Sequence, residues 1–426
     1  MPCLLRIACS QQIVVSTVKS RQFIPCAGTK LEEETEQESM KTCSIDELEQ
    51  KHEMLQKQYE NAIQHSDALK RYLEVWERKQ SEWKSQKVNI AVTGHSARGK
   101  SSFISALARN WTNKPCPAKS GSTEAIDDCV AYEHPNNPNI TFWDLPTVGA
   151  SDFPQEQRLA EVTDADAFII LTATKFGEED SRLGRKLQEK NKAVIFVRTK
   201  IGIDVDRCRR DCPEMDDKAI LETVRKTTTE GCADLPSCFD LFLIDNRRSD
   251  TYEFNDLEKC IKEKLTVLKG QALVLSIGNM SKNNLRLKVD ELKSHIADTV
   301  VTASVLGAFP GMSAFTDEAI VYRVASFYKD QLDLDTDSLE ERSVDPGKRE
   351  SLESKVRGVT VDIPNIVRLH GLHLRDAGSI LSAFGSAFFR PTPGLNTCAS
   401  ALTVSNSLED VLDTFEAISL EAIDAC

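Results

Sequence analysis

The segment VNIAVTGHSARGKSS constrains this chain more than any other. An apolar run ends in Gly94, and Gly94-x-x-x-x-Gly99-Lys100-Ser101 leads directly into a helix-forming stretch through Phe103, Ile104 and Leu107. Glycines at both ends let the intervening loop wrap an anion with its main-chain N–H groups pointing inward. The helix that follows adds its positive dipole end to the same spot. The pattern therefore predicts a nucleotide phosphate site. His95, Ser96, Ala97 and Arg98 line the loop, Lys100 reaches the β- and γ-phosphates, and the hydroxyl of Ser101, followed by Ser102, ligates Mg²⁺.

A strand leading into a helix implies an α/β domain, and the texture downstream agrees. Short β-rich runs VNIAV, ITFWDL, AFIILTA, AVIFV and LFLI alternate with helix-like stretches, as in a parallel sheet covered on both faces. The second run places Asp144 at a strand end, some forty residues after Ser101, where a carboxylate can hold a water on the magnesium. The fourth runs into Thr199 and Lys200, the position from which a base is read. The carboxylate expected two residues on, to accept hydrogen bonds from guanine N1 and N2, is replaced by Gly202. Asp204 is the substitute if the loop shifts, and a solvent-facing aspartate otherwise.

Flanking segments read as helix. Ser44 and Glu47 form a capping-box pattern, and Leu48, Leu55, Ala62, Leu69 and Trp76 recur every seven residues, giving one long amphipathic helix or two in line. Such a stripe packs on its own domain or pairs in a coiled coil. Beyond about Leu265 the strand texture fades. Leu285 to Val301, Thr316 to Gln331 and Leu408 to Ala425 carry helical periodicity, and the apolar Ile380 to Phe389 suits a buried core helix. The expected organisation is a variable, flexible segment over 1–43, helical residues over 44–86, a nucleotide domain over 87–267 and a helical region over 268–426.

Charge and composition narrow the function. A net charge of −13 argues against general nucleic-acid binding, which needs a basic surface. Thirteen scattered cysteines suit reduced thiols rather than a disulfide frame; Cys208 and Cys212 lack a second pair at zinc spacing. No uninterrupted apolar run of about eighteen residues is present, and Pro2 excludes myristoylation.

The chain resembles the immunity-related GTPase family, the interferon-inducible, dynamin-like GTPases of vertebrates. The likeness rests on GHSARGKSSFISAL, YEHPNNPNITFWDLPTVG, FVRTK at 196–200, SDTYEFNDLEKCI at 249–261 and AIVYRVASFYKDQLDLDTDSLE, and covers about 44 to 420. It implies a Ras-like P-loop G domain with a mostly parallel sheet, inserted in an all-helical domain formed from both ends of the chain. It also implies GTP and GDP as bound nucleotides with Mg²⁺, and GTP hydrolysis. The partners it implies are family relatives met through the G domain, with nucleotide-controlled self-assembly on intracellular membranes in cell-autonomous immunity. The location it implies is cytoplasmic and peripheral to membranes. Lys100 places the chain with the members that carry lysine in this motif.

Three positions depart from the family pattern. Thr147 stands where Asp-x-x-Gly has its glycine, Gly202 replaces the acidic base reader, and the switch threonines fall at Ala125 and Ile126, with Thr123 the nearby candidate metal ligand. A switch works through amide and hydroxyl contacts to the γ-phosphate and Mg²⁺. A branched residue at 147 narrows the backbone there, although Gly149 follows. No catalytic base is assignable. The alternatives to a GTP hydrolase are a regulatory pseudo-GTPase with little or no turnover and an NTPase of relaxed base specificity.

Overall fold

The computed structural model describes residues 45–94, 98–112, 130–145, 165–230, 239–248, 251–279, 281–306, 313–342, 344–383 and 393–425. The chain divides into two units, Met1–Gln50 and Lys51–Cys426, and the contacts described below lie within the second. The segment expected to be variable over 1–43 and the capping serine Ser44 lie outside the described residues.

Helices α1 (Ile45–His65) and α2 (Asp67–Ser81) form the first pair, so the heptad stripe resolves into two successive helices. The break is at Ser66, in extended geometry, whose hydroxyl accepts from the amide of Leu69 and caps α2. After a 3₁₀ turn at Glu82–Ser85 come β1 (Val88–Gly94), α3 (Lys100–Thr112), β2 (Val130–His134), β3 (Asn137–Asp144), β4 (Ala167–Thr172), α4 (Glu178–Glu189), β5 (Ala193–Arg198), α5 (Ile201–Asp211), α6 (Asp217–Thr229), β6 (Leu241–Leu243) and α7 (Phe254–Lys264). The described residues continue with α8 (Val267–Ser276), α9 (Lys282–Leu306), α10 (Ser313–Gln331), α11 (Thr336–Glu341), α12 (Pro346–Ala383) and α13 (Pro393–Ala425).

The six strands form one sheet in the order β2-β3-β1-β4-β5-β6. Every pairing is parallel except β2 with β3. Burial explains the apolar runs: β4 is buried at all its positions, and β1 and β5 at all but one, because helices cover both faces. Strand β2 escaped the sequence reading. VAYEH is short, carries Glu133 and His134, and forms an edge hairpin through Pro135 and Asn136, so it lacks the continuous apolar signature of its neighbours. Pro138 is tolerated in β3 because it precedes the pairing with β1, which begins at Ile140.

The α1–α2 stripe packs on its own chain. The Tyr59 and Tyr322 rings stack at 4.9 Å, and Trp76 meets Phe327 edge-on at 5.5 Å. Tyr72 Oη donates to the Thr299 carbonyl at 3.1 Å, and Trp76 Nε1 donates to Thr299 Oγ1 at 3.0 Å, fastening α2 to α9. Helices from the two ends of the chain thus share one core, which continues through β1, β3 and α8. At that junction Asn137 Nδ2 donates to Ser276 Oγ at 3.0 Å, and Lys269 Nζ pairs with Asp166 at 2.6 Å. The C-terminal segments expected to be helical lie in α9, α10 and α13. Of Ile380 to Phe389, only the backbone through Ala383 is described.

Two predictions follow from these contacts. Thr299→Val leaves the buried Trp76 N–H without its acceptor and should cost about 1–3 kcal/mol, read from the urea unfolding midpoint. Asp317, buried and accepting from Ser400 Oγ at 2.5 Å, has its carboxyl pushed up to about 7 by burial. Its folded pKa exceeds its unfolded value, so between about pH 4 and 7 the folded state holds the extra proton and stability falls as pH rises. Asp317→Asn should flatten that slope in thermal melts across the same window.

Candidate nucleotide site

A parallel sheet brings its strand carboxyl ends to one edge, and at a switch in strand order a crevice opens there. Strand β1 lies between β3 and β4, so the chain leaves β1 at such a point. Gly94 closes β1 at φ 138°, and a Cβ there would meet the Leu171 carbonyl of β4 at 2.3 Å, a position that only glycine fills. Gly99 sits at φ 90°, and its carbonyl accepts from the Phe103 amide at 2.8 Å as the first turn of α3 forms.

Lys100 begins α3 and folds back so that its Nζ donates to the Gly94 carbonyl at 3.0 Å, spanning the loop mouth. Burial lowers its pKa, the Asp144 carboxylate opposes that shift, and Arg98 reinforces it. Ser101 Oγ donates to Asp144 Oδ2 at 2.6 Å, so the hydroxyl at the head of α3 and the carboxylate at the end of β3 meet across the crevice. Two hard oxygens side by side fit a Mg²⁺ that keeps several waters and completes its shell with phosphate oxygens. Among the described residues there is no group of three or more His, Cys, Asp or Glu that would form an all-protein cage.

The remaining sequence-selected residues have varied fates. His95, Ser96, Ala97, Thr123, Thr147 and Gly149 lie outside the described residues. Ser102 is exposed on α3. The Arg98 guanidinium is paired: Nη1 meets Asp180 Oδ2 at 3.0 Å, and Asp180 is fully buried and also accepts from the Gly177 amide. Thr199 is fully buried and donates to the Arg98 carbonyl at 2.8 Å and the Thr172 carbonyl at 3.2 Å. It ties Arg98, at the end of the phosphate loop, to the ends of β4 and β5. Lys200 adopts left-handed geometry at φ 61°, and its Cε lies 4.0 Å from where a Gly99 Cβ would stand.

Asp204 does not take the place left open at Gly202. It lies one turn along α5, and its carboxylate is bound by the Arg198 guanidinium, whose pKa burial lowers and Asp204 raises. Instead, Asp245 crowds Gly202: a Cβ at 202 would stand 2.2 Å from Asp245 Oδ2. The next residue, Asn246, donates from Nδ2 to the Gly99 carbonyl at 3.2 Å. Both follow β6 and belong to no local motif, so only the fold reveals them.

A family model described as "Interferon-inducible GTPase (IIGP)" matches residues 49–363. Interferon-gamma-inducible GTPase 10 of Mus musculus is 29% identical over 276 residues, covering 63% of this chain and 66% of that protein. T-cell-specific guanine nucleotide triphosphate-binding protein 2 of Mus musculus is 30% identical over 249 residues, covering 57% and 59%. Interferon-inducible GTPase 5 of Rattus norvegicus is 28% identical over 312 residues, covering 70% and 66%. The aligned part thus spans 59–66% of these relatives' lengths. The G domain of the T. maritima FeoB iron transporter matches at TM-score 0.25 and 15% identity over 42% of this chain and 99% of that one, too low to add to the sheet order itself. Together the sheet and the family match define a P-loop G domain set among helices from both ends of the chain. The chain belongs to the interferon-inducible GTPase family.

Because Asp180 is buried, Arg98→Met should leave an uncompensated carboxylate and cost about 3 kcal/mol in chemical denaturation. The double variant Arg98→Met/Asp180→Asn should recover much of that loss.

Proposed function

We propose that the crevice binds GTP and GDP with Mg²⁺ and hydrolyses GTP to GDP and phosphate. The observation that carries this reading is the convergence of Lys100, Ser101 and Asp144 at the carboxyl edge of the sheet, with Ser101 Oγ 2.6 Å from Asp144 Oδ2. Main-chain amides of the loop and the head of α3 cradle the phosphates. Lys100 exchanges its contact with the Gly94 carbonyl for the β- and γ-phosphate oxygens, a stronger charge-assisted partner. Ser101 and, through water, Asp144 hold the magnesium, which would neutralise charge developing between the β- and γ-phosphates. Guanine as the base is supported by the family and by similarity to T-cell-specific guanine nucleotide triphosphate-binding protein 2.

The family match supports a role in immunity; we further propose nucleotide-controlled self-association through the G domain, in a cytoplasmic protein acting peripherally on intracellular membranes. Among the described residues no helix is long and apolar enough to cross a membrane. A second reading, nucleotide binding with little turnover in a regulatory role, is favoured by Thr147 in place of glycine in the γ-phosphate-sensing motif.

Labelled GTP separates the two. Hydrolysis is expected to yield GDP at a rate per molecule that rises with protein concentration. Tight binding without GDP at any concentration assigns the regulatory reading and removes the enzyme. Flotation of the full chain with liposomes is expected to depend on the bound nucleotide; absence of flotation with GTP, GDP and no nucleotide alike removes the membrane role.

A further inference from the structure

We infer that Asp245, which follows β6, supplies the base-reading carboxylate that Gly202 leaves out of the β5–α5 turn. The assignment rests on the guanine-nucleotide site proposed above and names the residue that would make it selective.

Asp245 is placed by the sheet. The Ile244 amide donates to the Arg198 carbonyl at 2.8 Å, and the Ile201 amide donates to the Ile244 carbonyl at 3.3 Å. These two bonds extend the β5–β6 ladder by one residue and set residue 245 level with the first turn of α5. The Asp245 carboxylate then stands in the volume that a side chain at 202 would fill, with Oδ2 2.2 Å and Cγ 3.4 Å from an ideal Gly202 Cβ. Oδ1 accepts from the Arg247 amide at 3.0 Å, which orients the group with Oδ2 toward Gly202. Asp245 is half-buried, and the Tyr252 hydroxyl lies 3.9 Å from the same Cβ position.

The neighbouring residues tie this loop to the phosphate site. Asn246 donates to Gly99, the glycine beside which Lys200 lies, so phosphate loop, Lys200 and Asp245 share one end of the sheet. The other nearby acid, Asp204, is engaged by Arg198. The glycine at 202 and the carboxylate from 245 form a matched pair: the absent side chain makes the room that the other occupies.

The chemistry of selection is that of a group that only accepts. Guanine presents N1–H and N2–H side by side, and a carboxylate takes both. Adenine presents an unprotonated N1 at that edge, which leaves acceptor facing acceptor. An amide at 245 offers one acceptor and one donor, which fits xanthine, whose N1–H is followed by a carbonyl.

The test measures dissociation constants of the full-length protein for fluorescent GDP, XDP and ADP with Mg²⁺, beside thermal melts. Wild type is expected to prefer GDP. Asp245→Asn, nearly isosteric, should shift the preference to XDP. Asp245→Ala should lower the GDP-to-ADP preference by about 10- to 100-fold with ADP affinity little changed. Gly202→Asp alone should weaken GDP binding, because two carboxylates then compete for one volume, and Gly202→Asp/Asp245→Gly should restore the preference. If the Ala variant does not fold, the Asn variant decides. Selective GDP binding by wild type with unchanged ratios in the Asn variant overturns the role of Asp245 alone. No GDP binding by folded wild type overturns the guanine-nucleotide reading and this assignment with it.

Discussion

The structure depends on the close approach of β1 to β4 at Gly94. A Cβ there would run into the Leu171 carbonyl, so the absence of a side chain lets β1 pair with β4 to its last residue, where Gly94 stands at φ 138°. The positions of Lys100, Ser101 and the head of α3 follow from that strand end. The parallel direction of β3 and β5 does the rest, delivering Asp144 and Thr199 to the same edge from distant parts of the chain.

Much of this was legible because each signal was local. A buried parallel strand must be apolar along its length, so VNIAV, AFIILTA and AVIFV announced themselves. The phosphate loop needs glycine at fixed offsets, so Gly94, Gly99, Lys100 and Ser101 could be named without a fold. Strand β2 was hidden because a short edge strand needs no continuous apolar run. The break at Ser66 was equally quiet, since the heptad stripe continues through it and only the cap marks the boundary.

What escaped the sequence was tertiary substitution. The pairing of Arg98 with Asp180 and of Arg198 with Asp204 joins residues whose neighbours in sequence say nothing of the partner's burial. In the structure the Arg98 guanidinium pairs with Asp180 and the Asp204 carboxylate with Arg198. Asp245 is the converse: an aspartate after a three-residue strand has no motif around it, and only the extension of β6 along β5 brings it against Gly202. A departure from a family pattern at one position thus has a counterpart some forty residues on, through contact in space.

On the proposed function, the loop ending in Lys100 and Ser101 grips a magnesium triphosphate. Isothermal titration of GTP with Mg²⁺ into the folded full-length protein measures it directly, with Lys100→Ala as the comparison. Saturable binding is expected in wild type, with an affinity at least about tenfold weaker in the variant from the loss of one charge-assisted contact. Heats of dilution alone in wild type, or equal affinity in the two proteins, would contradict it.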